Sequence, residues 1–124
     1  WPMYPGTGRL GDVGEGEGRG STLNLPFPAG TSGDAYRRSL DDLVLPTLAA
    51  WNPTWLLISA GFDSLAGDPL GGFTLELDDV RDLTRLLVER AERWCGGRVV
   101  SALEGGYEPD RLGEAVIAHL DALR

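Results

Sequence analysis

Two short uninterrupted apolar runs constrain this chain more than any other feature. Trp55-Leu56-Leu57-Ile58-Ser59-Ala60 stops at Gly61, and Arg98-Val99-Val100-Ser101-Ala102-Leu103 stops at Glu104-Gly105-Gly106. A strand with one wet face alternates apolar and polar residues, whereas continuous runs of this length predict strands buried on both faces of a parallel sheet. Parallel neighbours need a crossover, and the intervening sequence supplies one, with Leu77, Val80, Leu83, Leu87, Ala91 and Trp94 on one face of a helix. Asp78 and Asp79 suit its positive end, and Glu89 and Arg93 have i,i+4 spacing. A last helix begins at Pro109, a residue suited to a first helical position, and carries Leu112, Val116, Leu120 and Leu123 on one face. Strand, helix, strand, helix predicts an α/β fold of three layers, α/β/α, around a parallel sheet.

Upstream of these units the pattern is different. Residues 1–20 hold seven of the chain's glycines and no apolar period, which predicts an irregular loop, and 21–124 carry the α/β units. An extended stretch is expected at Ser21 to Leu25, closed by Pro26 and Pro28. Asp34 is placed as the N-cap of a helix bearing Tyr36, Leu40, Leu43 and Val44, which Pro46 should end or kink before Leu48 and Trp51.

With 124 residues, 42% apolar and 24% charged, the chain fits a single domain. Its formal charge of −8 disfavours nucleic acid as a partner, and no apolar run reaches the ~20 residues of a membrane span. All eleven bases are arginine, which excludes a phosphate-loop or Schiff-base lysine. Cys95 is the only cysteine, so a reducing compartment, by default the cytoplasm, is expected. The opening Trp1-Pro2-Met3-Tyr4 has no start methionine and no signal-peptide pattern, and reads as an internal piece of something longer.

Ligands of open parallel sheets bind outside the carboxyl ends of the strands, which directs attention to Phe62-Asp63 and to Gly105-Gly106-Tyr107. Asp63 could be a metal ligand or a base there, or could cap a turn with Asp68. The Tyr107 phenol could donate to a developing oxyanion, or could be a partly buried aromatic bonded to a carbonyl. Glu104 reads as a loop anchor. Gly6-Thr-Gly-Arg-Leu-Gly11 matches the dinucleotide fingerprint by letter, yet lacks the preceding strand and following helix that give it meaning. Ser59 lacks the glycine of a nucleophile elbow, and Cys95 lies on the buried side of its helix. His119, the only histidine, is expected at the surface or the edge of the core, and the tryptophans read as ordinary packing.

Taken together, Tyr4-Pro-Gly-Thr-Gly8, Asn24-Leu-Pro-Phe-Pro28, Leu57-Ile-Ser-Ala-Gly-Phe-Asp-Ser-Leu-Ala-Gly-Asp-Pro-Leu-Gly71 and Leu103-Glu-Gly-Gly-Tyr107 resemble the histone deacetylase family of the arginase/deacetylase superfamily, in particular its class II-like bacterial members. The resemblance implies the C-terminal part of one deacetylase-like catalytic domain, with a partial arginase/deacetylase-like fold. By that resemblance Asp63 is one of three zinc ligands and Tyr107 bonds the tetrahedral oxyanion. Phe62, Leu70, Gly105 and Gly106 would line the substrate pocket. The family's Asp-x-His ligand pair and its tandem histidines have no match here, since no Asp-x-His and no His-His occurs. An N-terminal half of the same domain is therefore expected as a partner, and the chain alone is expected to be inactive.

The implied reaction is zinc-assisted hydrolysis of an N-acetylated or acylated amine such as acetyl-lysine. Leu70, apolar near the pocket mouth, offers no charge to a polyamine cation, which makes acetylpolyamine the alternative substrate. The competing reading is a non-catalytic α/β regulatory or binding module.

Overall fold

The computed structural model describes residues 6–124; Trp1 and the Tyr4-Pro5 part of the first family-like segment lie outside the described residues. The two apolar runs form strands β1 (Leu56–Ala60) and β2 (Val99–Leu103), paired in parallel with Leu56 opposite Val99 and Ala60 opposite Leu103. The crossover helix between them spans Leu77–Cys95, and a last helix spans Pro109–Ala122. Ahead of β1, helices Gly33–Ser39 and Leu45–Trp51 flank a wide turn at Leu40–Val44. In chain order the helices are α1 (Gly33–Ser39), α2 (Leu45–Trp51), α3 (Leu77–Cys95) and α4 (Pro109–Ala122).

Pro46 explains the wide turn. Its ring would clash with the carbonyl one turn back, so the helix opens before it: the Leu45 N–H reaches five residues back to the Leu40 carbonyl, and a new helix starts with proline in its first turn. Of the two effects expected of Pro46, an end or a kink, the structure shows an interruption, after which the helix resumes at Leu45 and runs through Leu48 to Trp51. The N-cap of α1 is Ser32, whose hydroxyl accepts from Ala35, and Asp34 sits one step inside the first turn. Both residues suit a helix start, but only Ser32 has the extended backbone that a cap requires. Helix α3 opens with Glu76 and Asp79 each accepting from the other's end of the turn, and closes on Gly96 in the left-handed region. Its surface ion pairs join Arg81 to Asp78 and Arg85 to Asp82, not Glu89 to Arg93.

The core lies on one face of the sheet. Ala60 is buried there with Phe62, Leu65, Leu75 and Val80, closed over by Ala115 and Ala118 of α4, and Leu56 is buried in a second cluster against Ala91 and Cys95 of α3. On the opposite face Leu57 is 73% exposed and Val100 48%, so the runs expected to be covered on both sides are covered on one by the described elements. Helix α4 keeps Leu112 and Val116 of the expected stripe packed on this core, but its most buried positions are others. Ala115, Ala118, His119 and Ala122 face inward while Leu120 is half exposed, and the small side chains let α4 pack closely against α3. Trp51 and Trp55 are likewise half exposed.

No strand forms at Ser21 to Leu25. The segment instead carries Asn24, whose amide donates to the Arg9 carbonyl (3.2 Å) and the Asp12 carbonyl (2.8 Å). With Arg9 N–H to Asp12 and Gly20 N–H to Val13 (2.7 Å), these bonds organise the glycine-rich loop around a polar side chain in place of a core. Phe27, Tyr36 and Phe73 stack next to it with centroids 5.4 to 6.3 Å apart, joining this segment to α1 and to the loop after β1.

Candidate functional site

Backbone pairing does not stop where the strands do. Glu104 N–H donates to Ala60 (3.0 Å) and Phe62 N–H to Gly105 (2.9 Å), so the chain leaving β1 and the chain leaving β2 stay side by side beyond the sheet. Asp63 and Gly105 are brought together as a result. The Asp63 Oδ2 lies 2.5 Å from where a β-carbon on Gly105 would stand, and its Oδ1 lies 3.0 Å from the corresponding point on Gly61. The carboxylate is half-buried between two glycines and makes no hydrogen bond or ion pair with any described residue. Tyr107 follows two residues on, half exposed, its hydroxyl likewise without a hydrogen bond to the described residues.

The turn that joins Asp63 to α3 is closed by Asp68. This carboxylate is buried; Oδ1 accepts from the Leu70 and Gly71 N–H groups and Oδ2 from the Tyr107 N–H, each at 2.8 Å. Burial opposes its ionisation, but donors from Tyr107, Gly71, Leu70 and Glu108 outweigh burial and hold the carboxyl below its ordinary range. The expected turn cap is real, and one of its oxygens also reaches across the sheet edge, a partner no local spacing reveals.

Beneath the same edge sits His119, buried at the junction of α3, α4 and β2 and not at the surface. Thr84 donates to the Val80 carbonyl (2.7 Å), so its oxygen accepts from His119 Nδ1 (2.7 Å), which leaves Nε2 to accept from the Ser101 hydroxyl (2.8 Å). The imidazole meets the Phe62 ring edge-on at 5.7 Å and so braces the residue before Asp63. The alanines on either side of His119 were the sequence signal: a lone histidine in a small-residue stripe is drawn inward with the stripe.

Burial lowers the pKa of His119 below its ordinary 6.5. The unfolded chain then binds the proton first, so stability is complete above that ordinary value and falls as the pH drops from there through the depressed folded value. Thermal unfolding followed down from about pH 7 should show this loss, and His119→Gln should flatten it. An unchanged profile in the variant would assign the acid sensitivity elsewhere. Asp68, also depressed, acts in a separate window, with stability lost as the pH falls below the ordinary 3.8 toward its lower folded value.

Phe62 is buried in the core, Leu70 is 61% exposed, and Gly105 and Gly106 are half-buried, with Gly106 against Phe62. Among the described residues no three His, Cys, Asp or Glu side chains converge as a metal cluster. Asp63, a half-buried carboxylate to which no described residue supplies a donor, has the chemistry to fill one position of a zinc shell, which normally takes three protein ligands. No helix of the described residues is long and apolar enough to cross a membrane.

A family model described as the histone deacetylase domain matches residues 1–123. Histone deacetylase 10, chloroplastic, of Oryza sativa subsp. japonica is 42% identical over 113 residues, which is 91% of this chain and 26% of that protein. The histone deacetylase-like amidohydrolase of Pseudomonas aeruginosa is 39% identical over 123 residues, 97% of this chain and 32% of its own length. The crystal structure of the HDA15 HD domain superposes with a TM-score of 0.88 at 33% identity, covering 98% of this chain and 33% of that one. The chain thus spans between a quarter and a third of the length of these relatives.

Proposed function

The chain belongs to the histone deacetylase family, and from that premise we propose that the complete protein is a zinc-dependent amidohydrolase that removes acetyl or related acyl groups from amines such as acetyl-lysine. The observation that carries this reading is that Asp63 lies against Gly105, two residues before Tyr107, and that neither the carboxylate nor the phenol has a hydrogen-bond partner among the described residues. Zinc, when bound, polarises an amide carbonyl and acidifies a water molecule. Asp63 supplies one of its ligands, and the other ligands and the histidine that takes the proton come from the remainder of the domain. Tyr107 donates a hydrogen bond to the carbonyl oxygen as it gains negative charge. Gly105 and Gly106 keep the floor of the site free of side chains, and the exposed Leu70 presents an apolar mouth that favours acetyl-lysine over a polyamine cation. The uncovered sheet face around Leu57 and Val100 is where the rest of the domain would pack.

The test uses the complete protein and an acetyl-lysine peptide, with zinc content measured beside turnover. Chelation should abolish hydrolysis, and Tyr107→Phe should leave zinc bound while lowering kcat by about 10²–10³, the usual cost of one oxyanion donor. A fully active Tyr107→Phe protein removes Tyr107 from the mechanism. A zinc-replete protein with no hydrolysis favours a non-catalytic binding module.

A further inference from the structure

We propose that Asp68 is a positioning residue that fixes the backbone of Tyr107 relative to the loop bearing Asp63, an inference that rests on the reaction proposed above. Two features make such an anchor necessary. Tyr107 follows Gly105-Gly106, and Gly106 has a φ of +136°, a conformation open to glycine and strained for other residues. The backbone before the phenol therefore has no intrinsic preference for the orientation it adopts. Gly106 also lies against the Leu112 side chain, which a β-carbon at 2.7 Å would have to displace. Orientation has to come from hydrogen bonds, and beyond the Glu104–Ala60 bond at the strand ends this segment is held to the opposite loop by Phe62 N–H to the Gly105 carbonyl (2.9 Å) and by Tyr107 N–H to Asp68 Oδ2 (2.8 Å), with the Glu108 N–H donating to the same Asp68 carboxylate.

The bond to Asp68 Oδ2 lies on Tyr107 itself and spans 39 positions of sequence. It is made by a buried carboxylate whose other oxygen is fixed by Leu70 and Gly71, so the acceptor is rigid before Tyr107 arrives. Asp68 belongs to the same turn as Asp63, and through it the turn carrying the carboxylate and the segment carrying the phenol move as one body.

Asp68→Asn separates the two jobs. Its carbonyl oxygen still accepts from the Leu70 and Gly71 amides, while its NH₂ faces the Tyr107 N–H and cannot bond it. In the complete protein kcat should fall by about 10²-fold, the order expected for a misplaced group, with KM and zinc content unchanged. Backbone hydrogen exchange at Tyr107 should accelerate. Made in the Tyr107→Phe protein, the same change should cost little, because the group that it positions no longer donates. A purely structural role would lower activity equally in both backgrounds, and that result, or an unchanged kcat, overturns the proposal. If the unmodified protein proves inactive, the proposed reaction fails on its own. The positioning is then judged by exchange at Tyr107 alone, where an unaltered rate in Asp68→Asn refutes it. Should Asp68→Asn fold poorly, Asp68→Ser carries the same test, since its short hydroxyl can serve the turn but not reach Tyr107.

Discussion

Asp63→Ala in the complete protein is expected to lower zinc affinity by more than about 10²-fold, beyond the loss typical of removing a partner that merely supports a ligand, and to take turnover down to background. The expectation comes from how the carboxylate is housed. It is half-buried, flanked by Gly61 and Gly105, and receives no hydrogen bond from any described residue. Leaving a charge partly desolvated without a donor is unfavourable, and a cation is what offsets it. Without metal, Asp63→Ala should therefore unfold at the same temperature as the unmodified protein or slightly higher, which separates loss of the ligand from loss of the fold. Asp63→Asn, with the same shape and no charge, should fall between the two in zinc content. Metal analysis of the purified proteins together with thermal unfolding decides it, and an Asp63→Ala protein with full zinc and undiminished hydrolysis would remove Asp63 from the metal shell.

What the sequence made legible was whatever repeats locally. The 3.6-residue period between Leu77 and Cys95 and the two apolar runs are short-range patterns, and α3, β1 and β2 lie within a residue or two of where those patterns put them. The rule that parallel sheets present ligands at their carboxyl ends singles out the segments after β1 and β2, which stay paired through Phe62 and Gly105. Readings that depended on which neighbour covers a face fared worse. Leu57 and Val100 look buried because they are apolar, yet burial belongs to what lies opposite, and the described elements leave that side open. Leu120 outweighs Ala118 on any hydropathy count, but close approach of α4 is set by the smaller side chain. The Asp68 bond to Tyr107 and the inward place of His119 were hidden for the same reason: the partners, Tyr107, Thr84 and Ser101, are 18 to 39 positions away. Spacing arguments reach about two helical turns, and a polar side chain that links separate elements leaves no period behind.

Gly71→Ala is expected to be the most damaging small substitution in the molecule, and Gly105→Ala its instructive opposite. A β-carbon on Gly71 would stand 1.5 Å from the carbonyl oxygen of Asp63 and 2.7 Å from its carbonyl carbon, so the obstacle is backbone on the far side of a closed turn. No rotamer relieves it. The turn would have to open, breaking the Asp68 bonds to Leu70 and Gly71 and loosening the Asp63 loop, at a cost of about 3 kcal/mol or more, which at about 2.1 cal/mol/K per residue is roughly 3–4 °C or more in Tm for a protein three to four times the length of this chain. The obstacle to a β-carbon on Gly105 is the Asp63 carboxylate itself, with Oδ2 at 2.5 Å and Cγ at 2.8 Å. A side chain can rotate where a carbonyl cannot, so Gly105→Ala should fold with a small change in Tm while driving the carboxylate from its place and depleting zinc. The two variants differ from the parent by one methyl group each at the same sheet edge, yet one should fail in a thermal melt and the other in a metal assay. Equal Tm losses in both would mean that the turn and the carboxylate are not separable, and that the close approach at Gly105 serves the fold and not the placement of Asp63.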